Sequence, residues 1–308
     1  MKITEIIEKK KQGKALTKEE TFFVVEGAMK GIIADYQLSA LFMAIYFQGM
    51  NIDEITWMTQ ATVESGQVLD LSKIGDVVAD KHSTGGVGDK ITLIYLPLVA
   101  ACGIPLAKLS GKGLGHTGGT IDKLNSIPGF NCELEMDDFL NKVQKVGLAI
   151  ASQTHNLTPA DGKFYALRDV TSTIDIIPLI AVSIVSKKIA SGANCIVLDV
   201  KCGEGAFVKT KEDALKLSEI MVEVGKRLGK KICAVISNMD EPLGHAVGNS
   251  IEVIESVEFL KGNIKNDLRD VTFELAALTL IKTGKQKQKK KLLKFLKMRL
   301  NQAKLFKS

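Results

Sequence analysis

The stretch GDVVADKHSTGGVGDKITLIYLPLVAACG, residues 75–103, decides the fold. It opens on a short β-branched run, passes through a glycine-rich loop and continues as an apolar segment of helical texture. The order strand, glycine loop, helix then returns in IPLAKLS (104–110), SGKGLGHTGGT (110–120) and IDKLNSI (121–127). That repetition predicts an α/β domain built on a largely parallel sheet. NCIVLDVKCGEGAF (194–207) and ICAVISNMDEPLG (232–244) read as two further strands ending in loops. The amphipathic DALKLSEIMVEVGKRLG lies between them, with Gly229 at its C-terminal end.

The flanking sequence has another texture. Residues 1–65 carry helical periodicity in KEETFFVVEGAMKGII (with Thr17 as N-cap), DYQLSALFMAIYFQGM and IDEITWMTQATVESG. KFYALRDVTSTIDIIPLIAVSIVSKKIA (163–190) is helical and aliphatic, broken at Pro178, and packs with the first helices and not with the sheet. The expected organisation is therefore a helical domain from 1–70 and 163–195, an α/β domain from 71–162 and 196–284, and a basic tail from 285 to 308.

Composition excludes several classes of function. The chain has 308 residues, 45% apolar and only 6% aromatic, enough for a large aliphatic core. The richest apolar run, IIPLIAVSIV at 176–185, is too short to cross a bilayer, and MKITEIIEKKKQ is no signal peptide. The net charge of +6 is misplaced evidence of basicity: Lys285 to Lys307 holds ten Lys or Arg and no acid, leaving 31 cations against 35 acids, about −4, in residues 1–284. The body is not built for nucleic acid. Five cysteines (Cys102, Cys132, Cys195, Cys202, Cys233) with no CxxC pair point to reduced thiols in the cytoplasm.

A loop between a strand and a helix N-terminus presents unpaired N–H groups to an anion. In the first loop Gly85, Gly86 and Gly88 permit close approach, Lys81 adds charge, and Ser83 and Thr84 add hydroxyl donors. Neither a Walker A motif nor a GxGxxG fingerprint is present there. A tight βα turn with incidental polar residues is the plain alternative. A second donor-rich loop from a neighbouring strand, opening at the same carboxyl edge of the sheet, favours a phosphate site. No His, Cys and Asp cluster has transition-metal spacing. His116 orders the second loop, and His155 and His245 read as structural.

DKHSTGGVGDK and KLSGKGLGHTGGTIDKLNSIPGF together resemble the pyrimidine-nucleoside phosphorylases, which include the thymidine phosphorylases. The resemblance continues through LTPADGKFYALRDVTSTIDIIPLIAVSIVSKKIA, IVLDVKCGEGAF and AVISNMDEPLGHAVGN and covers residues 1–284. It implies phosphorolysis of uridine, thymidine or deoxyuridine to free base and pentose 1-phosphate in pyrimidine salvage, without an organic cofactor. It implies a phosphate site at Lys81, Ser83, Thr92, Ser110 and Thr120 with Gly85 and Gly86, and His82 near the base carbonyl. Arg168, Ser183 and Lys187 would hold the pyrimidine, with His82, Arg168 and Lys187 as the catalytic groups. Ser183 and Lys187, four apart, share a helix face; a solvated helix end is the plain alternative. It also implies potassium at Gly88, Leu243, Ala246 and Glu255, although Lys90 places a positive charge beside them. The implied architecture is a helical domain hinged to the α/β domain, closing over substrate, with a homodimer formed through the helical domain and neither nucleic acid nor membrane as partner.

Two other readings compete. An anthranilate-type phosphoribosyltransferase would need pyrophosphate, magnesium and acidic ligands, and SGKGLGHTGGT argues against it. A folded remnant without turnover is the second, because the tail departs from the family. Relatives carry an acidic helix of the type GKAKTKEEA near residue 284; one nucleotide lost from an A-rich codon run converts it into GKQKQKKKL, which is what stands at 284–292. A frameshift is the expectation, with apolar surface left bare where a further lobe would dock. An intact downstream reading frame in the gene would support it.

Overall fold

The computed structural model describes residues 1–111, 113, 118–154 and 156–285. The basic tail beyond 285, His116 and His155 lie outside the described residues. The chain divides into two compact units: Met1–Leu69 with Thr154–Gly192 and Glu219–Lys230, and Asp70–Gln153 with Ala193–Ser218 and Lys231 onward. The second helical segment thus begins and ends earlier than 163 and 195, and an additional piece, 219–230, joins the helical unit.

In the helical unit, α1 (Ile3–Lys11), α2 (Lys18–Met29), α3 (Asp35–Gln48) and α4 (Ile52–Glu64) precede the second unit in sequence. Capping boxes start two of them: Thr17 accepts from Glu20 N while Glu20 accepts from Thr17 N, and Asn51 and Glu54 do the same for α4. Glu54 also holds the buried Lys10 ammonium at 2.7 Å and accepts from Leu16 N at 2.9 Å, which ties α1 and the following turn to α4. The later helices of this unit are α8 (Pro159–Val170) and α9 (Ile177–Ala190). Pro178 sits in the first turn of α9, so it starts that helix, as a residue without an N–H can. α9 packs on α4 and α8, and the Phe42 and Phe164 rings meet edge to face at 5.3 Å.

The second unit carries β1 (Ala79–Ser83), α5 (Ile91–Ala100), β2 (Leu106–Ser110), α6 (Thr120–Asn125), α7 (Met136–Val146), β3 (Leu148–Ser152), β4 (Cys195–Cys202), β5 (Lys231–Asn238), α11 (Asn249–Leu260) and α12 (Asp267–Lys282). Helix α10 (Lys211–Arg227) passes from this unit into the other at Ser218. All five strands are parallel, in the order β3-β2-β1-β4-β5. The α/β class with a helical companion expected from the sequence is what the chain adopts. The order reverses direction between β1 and β4, and a sheet of this kind binds ligands outside the carboxyl ends of its strands at such a switch point. The 75–103 stretch places the first glycine loop there. The core beneath it is aliphatic, with Tyr95, Phe259 and Phe273 as its few rings, in keeping with the sparse aromatics.

Candidate active site

The pleat sends Lys81 and Ser83 to one face of β1 and Asp80 and His82 to the other. Lys81 is fully buried, and no hydrogen-bond acceptor for its ammonium lies among the described residues. Its charge is balanced at longer range by Asp199 at 3.6 Å and Asp89 at 3.9 Å. Asp199 comes from β4, directly across the switch point, where Ser83 pairs with it in register. It is itself engaged by Lys201 at 2.8 Å and by the Ser237 hydroxyl, which donates to it at 2.6 Å. Burial pushes the Asp89 carboxyl up, but Lys81, Lys201, Ser83 and Lys123 outweigh it and hold Asp89 far below the usual carboxylate range. Burial likewise pushes Lys201 down and is overcome by Asp199 and Asp89, so Lys201 stays charged.

The loops of β1 and β4 are stitched together. Thr84 N donates to Asp199 O at 3.0 Å, Lys201 N donates to the Thr84 hydroxyl at 2.9 Å, and Gly86 bridges to Ala206. Gly85 has φ +96°, open to glycine at little cost. A Cβ on Gly86 would lie 2.8 Å from the Met239 sulfur, so the Met239 side chain packs directly against this glycine. Ser83 accepts from Gly85 N at 3.2 Å.

Ala79 pairs with Leu106, so Ser83 and Ser110, each four residues on, end neighbouring strands at one edge. Thr92 is buried in the first turn of α5, and Thr120 is the first residue of α6. The second loop is drawn toward the first by Lys123. Its ammonium donates to Asp89 O at 3.0 Å and Gly118 O at 2.9 Å and pairs with Glu252 at 3.2 Å. Asp122 accepts from Gly113 N at 2.6 Å and Gly119 N at 3.0 Å. The residues of this unit expected from sequence to hold phosphate therefore share one edge of the sheet. His82 is half-buried at the end of β1, on the opposite face from Lys81.

The helical unit holds the other three. Arg168 on α8 is buried and donates to the carbonyls of Thr173, Ile174 and Leu179, which fastens the α8–α9 turn. Burial pushes its guanidinium down to about 10, still charged at neutral pH. Lys187 donates to the Ser183 hydroxyl at 2.9 Å, pairs with Asp161 at 2.9 Å and lies 6.0 Å above the Tyr165 ring. Asp161, Tyr165 and Arg168 lie on one face of α8, and Ser183 and Lys187 on one face of α9. The paired lysine replaces the solvated helix end that remained open from sequence.

The potassium expectation is corrected. The Leu243 and Ala246 carbonyls and the Glu255 carboxylate hold the ammonium of Lys90, at 2.6, 2.8 and 2.7 Å, in place of a free ion. Like charges exclude a second cation from the same oxygens.

Sequence reading overlooked Asp89, Lys123, Asp161, Tyr165, Asp199 and Lys201. The signal for the last pair was available: two opposite charges inside the apolar run CIVLDVKC, in a strand covered on both faces, must compensate one another.

Residues 75–302 match the glycosyl transferase family a/b domain, and residues 4–66 match that family's helical bundle domain. The chain belongs to this glycosyl transferase family. It is 55% identical over 277 residues to a pyrimidine-nucleoside phosphorylase of Geobacillus stearothermophilus, covering 90% of this chain and 64% of that protein. A pyrimidine-nucleoside phosphorylase of Staphylococcus haemolyticus (strain JCSC1435) is 54% identical over 281 residues, 91% of this chain and 65% of that protein. The chain thus spans just under two thirds of the length of these curated relatives. The resemblance read from the two glycine loops is borne out. Among solved structures, anthranilate phosphoribosyltransferase from Thermus thermophilus superposes with a TM-score of 0.74 at 18% identity, over 97% of this chain and 95% of that one. At that identity the likeness is one of fold.

Proposed function

We propose that the chain carries the reaction machinery of a pyrimidine-nucleoside phosphorylase. A phosphate oxygen bonds to the anomeric carbon as the glycosidic C–N bond breaks, and the pyrimidine leaves with the bonding electron pair. The products are free base and pentose 1-phosphate. The observation that carries this reading is the Lys81 ammonium, fully buried at the switch point without a hydrogen-bond acceptor among the described residues. A buried charged donor left without an acceptor is costly, and an arriving phosphate would satisfy it.

Lys81, Ser83, Thr92, Ser110 and Thr120, with the backbone at Gly85 and Gly86, hold phosphate in this reading. Phosphate is already nucleophilic and needs placement more than activation. The leaving pyrimidine gathers negative charge. Arg168 and Lys187 offset it, Ser183 fixes the ring, and His82 donates to a base carbonyl or supplies the proton. The sugar becomes oxocarbenium-like as the bond lengthens, by analogy with glycoside cleavage.

Phosphate is the co-substrate, and no organic cofactor takes part. Five free cysteines support a reducing, cytoplasmic setting. Among the described residues no helix is long and apolar enough to cross a membrane. The exposed Ile32, Tyr36, Met43, Tyr46 and Phe47 support a homodimer through the helical unit. The test is direct: the full chain is incubated with uridine or thymidine, with and without phosphate and without magnesium, and free base is measured. Phosphate-dependent base release is expected. Its absence with both nucleosides overturns the reading for this chain.

A further inference from the structure

We propose that Lys90 is a built-in cation: its ammonium organises the 243–246 loop against the first glycine turn, so this turn needs no free monovalent ion. Lys90 stands at the entrance of α5, fully buried. An ammonium has three N–H donors. All three are used, on Leu243 O at 2.6 Å, Ala246 O at 2.8 Å and Glu255 Oε2 at 2.7 Å. Two carbonyls and a carboxylate converging on one point form the oxygen-rich cage that a potassium ion would seek, and an ammonium is similar to potassium in size and charge.

The cage is tight and continuous with the turn. A Cβ on Gly244 would lie 2.9 Å from the Lys90 ammonium and 2.8 Å from Glu255 Oε1. Gly88 has φ +71°, and a Cβ there would meet Leu243 O at 2.8 Å, so glycine allows the two loops to touch. Leu243 N donates to Val87 O at 3.1 Å, and Lys90 N donates to Gly88 O at 2.9 Å. Glu255 is fixed in turn: its two oxygens accept from His245 N at 2.8 Å and Ala246 N at 2.9 Å. Lys90 is thus a positioning residue. It holds the backbone on either side of Asp89, whose carboxylate faces Lys81. Its effect on phosphate rests on the proposed function; cation independence of the fold does not.

The test uses the full chain and thermal unfolding in choline chloride or potassium chloride at equal ionic strength, with and without inorganic phosphate. The wild-type chain should unfold at the same temperature in both salts. Lys90→Ser leaves room for an ion. Its Tm should fall by about 6–10 °C in choline chloride, the usual consequence of stripping one partner from a buried ion pair. It should recover in potassium chloride. Lys90→Met fills the space without charge; it should show the same fall and no recovery. A wild-type Tm that rises with potassium overturns the proposal, whatever the variants do. So does a Lys90→Ser chain as stable in choline chloride as the wild type. Phosphate protection of the wild type reads the proposed phosphate site separately.

Discussion

Lys81 and Lys90 stand at the two ends of one glycine turn, both fully buried, and their surroundings differ in a way that separates function from architecture. Lys90 has an acceptor for every N–H. Lys81 has two carboxylates within 4 Å but none within hydrogen-bond reach. Asp199 Oδ2 stands 3.6 Å from the Lys81 ammonium and is itself without a hydrogen-bond donor among the described residues, so it compensates the charge without satisfying it. A saturated ammonium contributes to folding. An unsatisfied one costs stability and is retained where a ligand completes it. One residue type at the two ends of one turn thus meets two opposite settings, set by the strands and loops that surround each.

The contrast is broken most severely at Lys81. Lys81→Met should reduce phosphate-dependent base release on the order of 10²–10³-fold, the scale seen when one charged donor is taken from an active centre. It should also abolish phosphate protection, and it should lower Tm, because the buried Asp89 and Asp199 lose a compensating charge. A stable Lys81→Met chain that phosphate still protects would remove the lysine from the phosphate site. A smaller effect is expected in the helical unit. Lys187→Met deletes a donor already paired with Asp161 and Ser183, so the nucleoside KM should rise about 10–100-fold, the worth of one charge-assisted hydrogen bond. The phosphate KM should hold. An equal rise in both constants would show that Lys187 acts through the packing of α8 and α9 and not on the base.

Much of this was legible in the sequence where the determinants are local. Sequence texture located β2, β4 and β5; β1 is Ala79–Ser83, so it runs into the stretch read as the start of the glycine loop, and β3 was missed because LAIAS follows the helical α7 run without a glycine-rich loop of its own. The donor-rich loops were legible because glycine, hydroxyl and lysine cluster within a few positions. Contacts that join distant segments were not. Nothing near Lys90 in sequence reveals Glu255, which is brought to it by α11, and so the same lysine read as a neighbour of an ion and not as its substitute. The strand order that puts Asp199 beside β1, 3.6 Å from the Lys81 ammonium, is likewise non-local.

The smallest expected effect probes the saturated side through pH. Burial pushes the Glu255 carboxyl up, but the Lys90 ammonium and the His245 and Ala246 N–H groups outweigh it, and the net shift is downward from the usual carboxylate value. A carboxyl with a lower pKa folded than unfolded binds fewer protons in the native state. Its contribution is therefore complete above the unfolded pKa and is lost as pH falls through the folded one. Glu255→Gln keeps an acceptor and removes the charge, so it should cost about 2 kcal/mol at neutral pH, and the Tm gap to the wild type should close as pH drops below the carboxylate range. In Lys90→Met the leading favourable partner is gone, so the acid loss of stability should begin at a higher pH than in the wild type. A gap between wild type and Glu255→Gln that stays constant down to acid pH would mean that Glu255 serves as a neutral hydrogen-bond acceptor. The ammonium of Lys90 would then be held by three neutral acceptors, and the distinction between the two lysines would shrink to one of hydrogen bonding without charge.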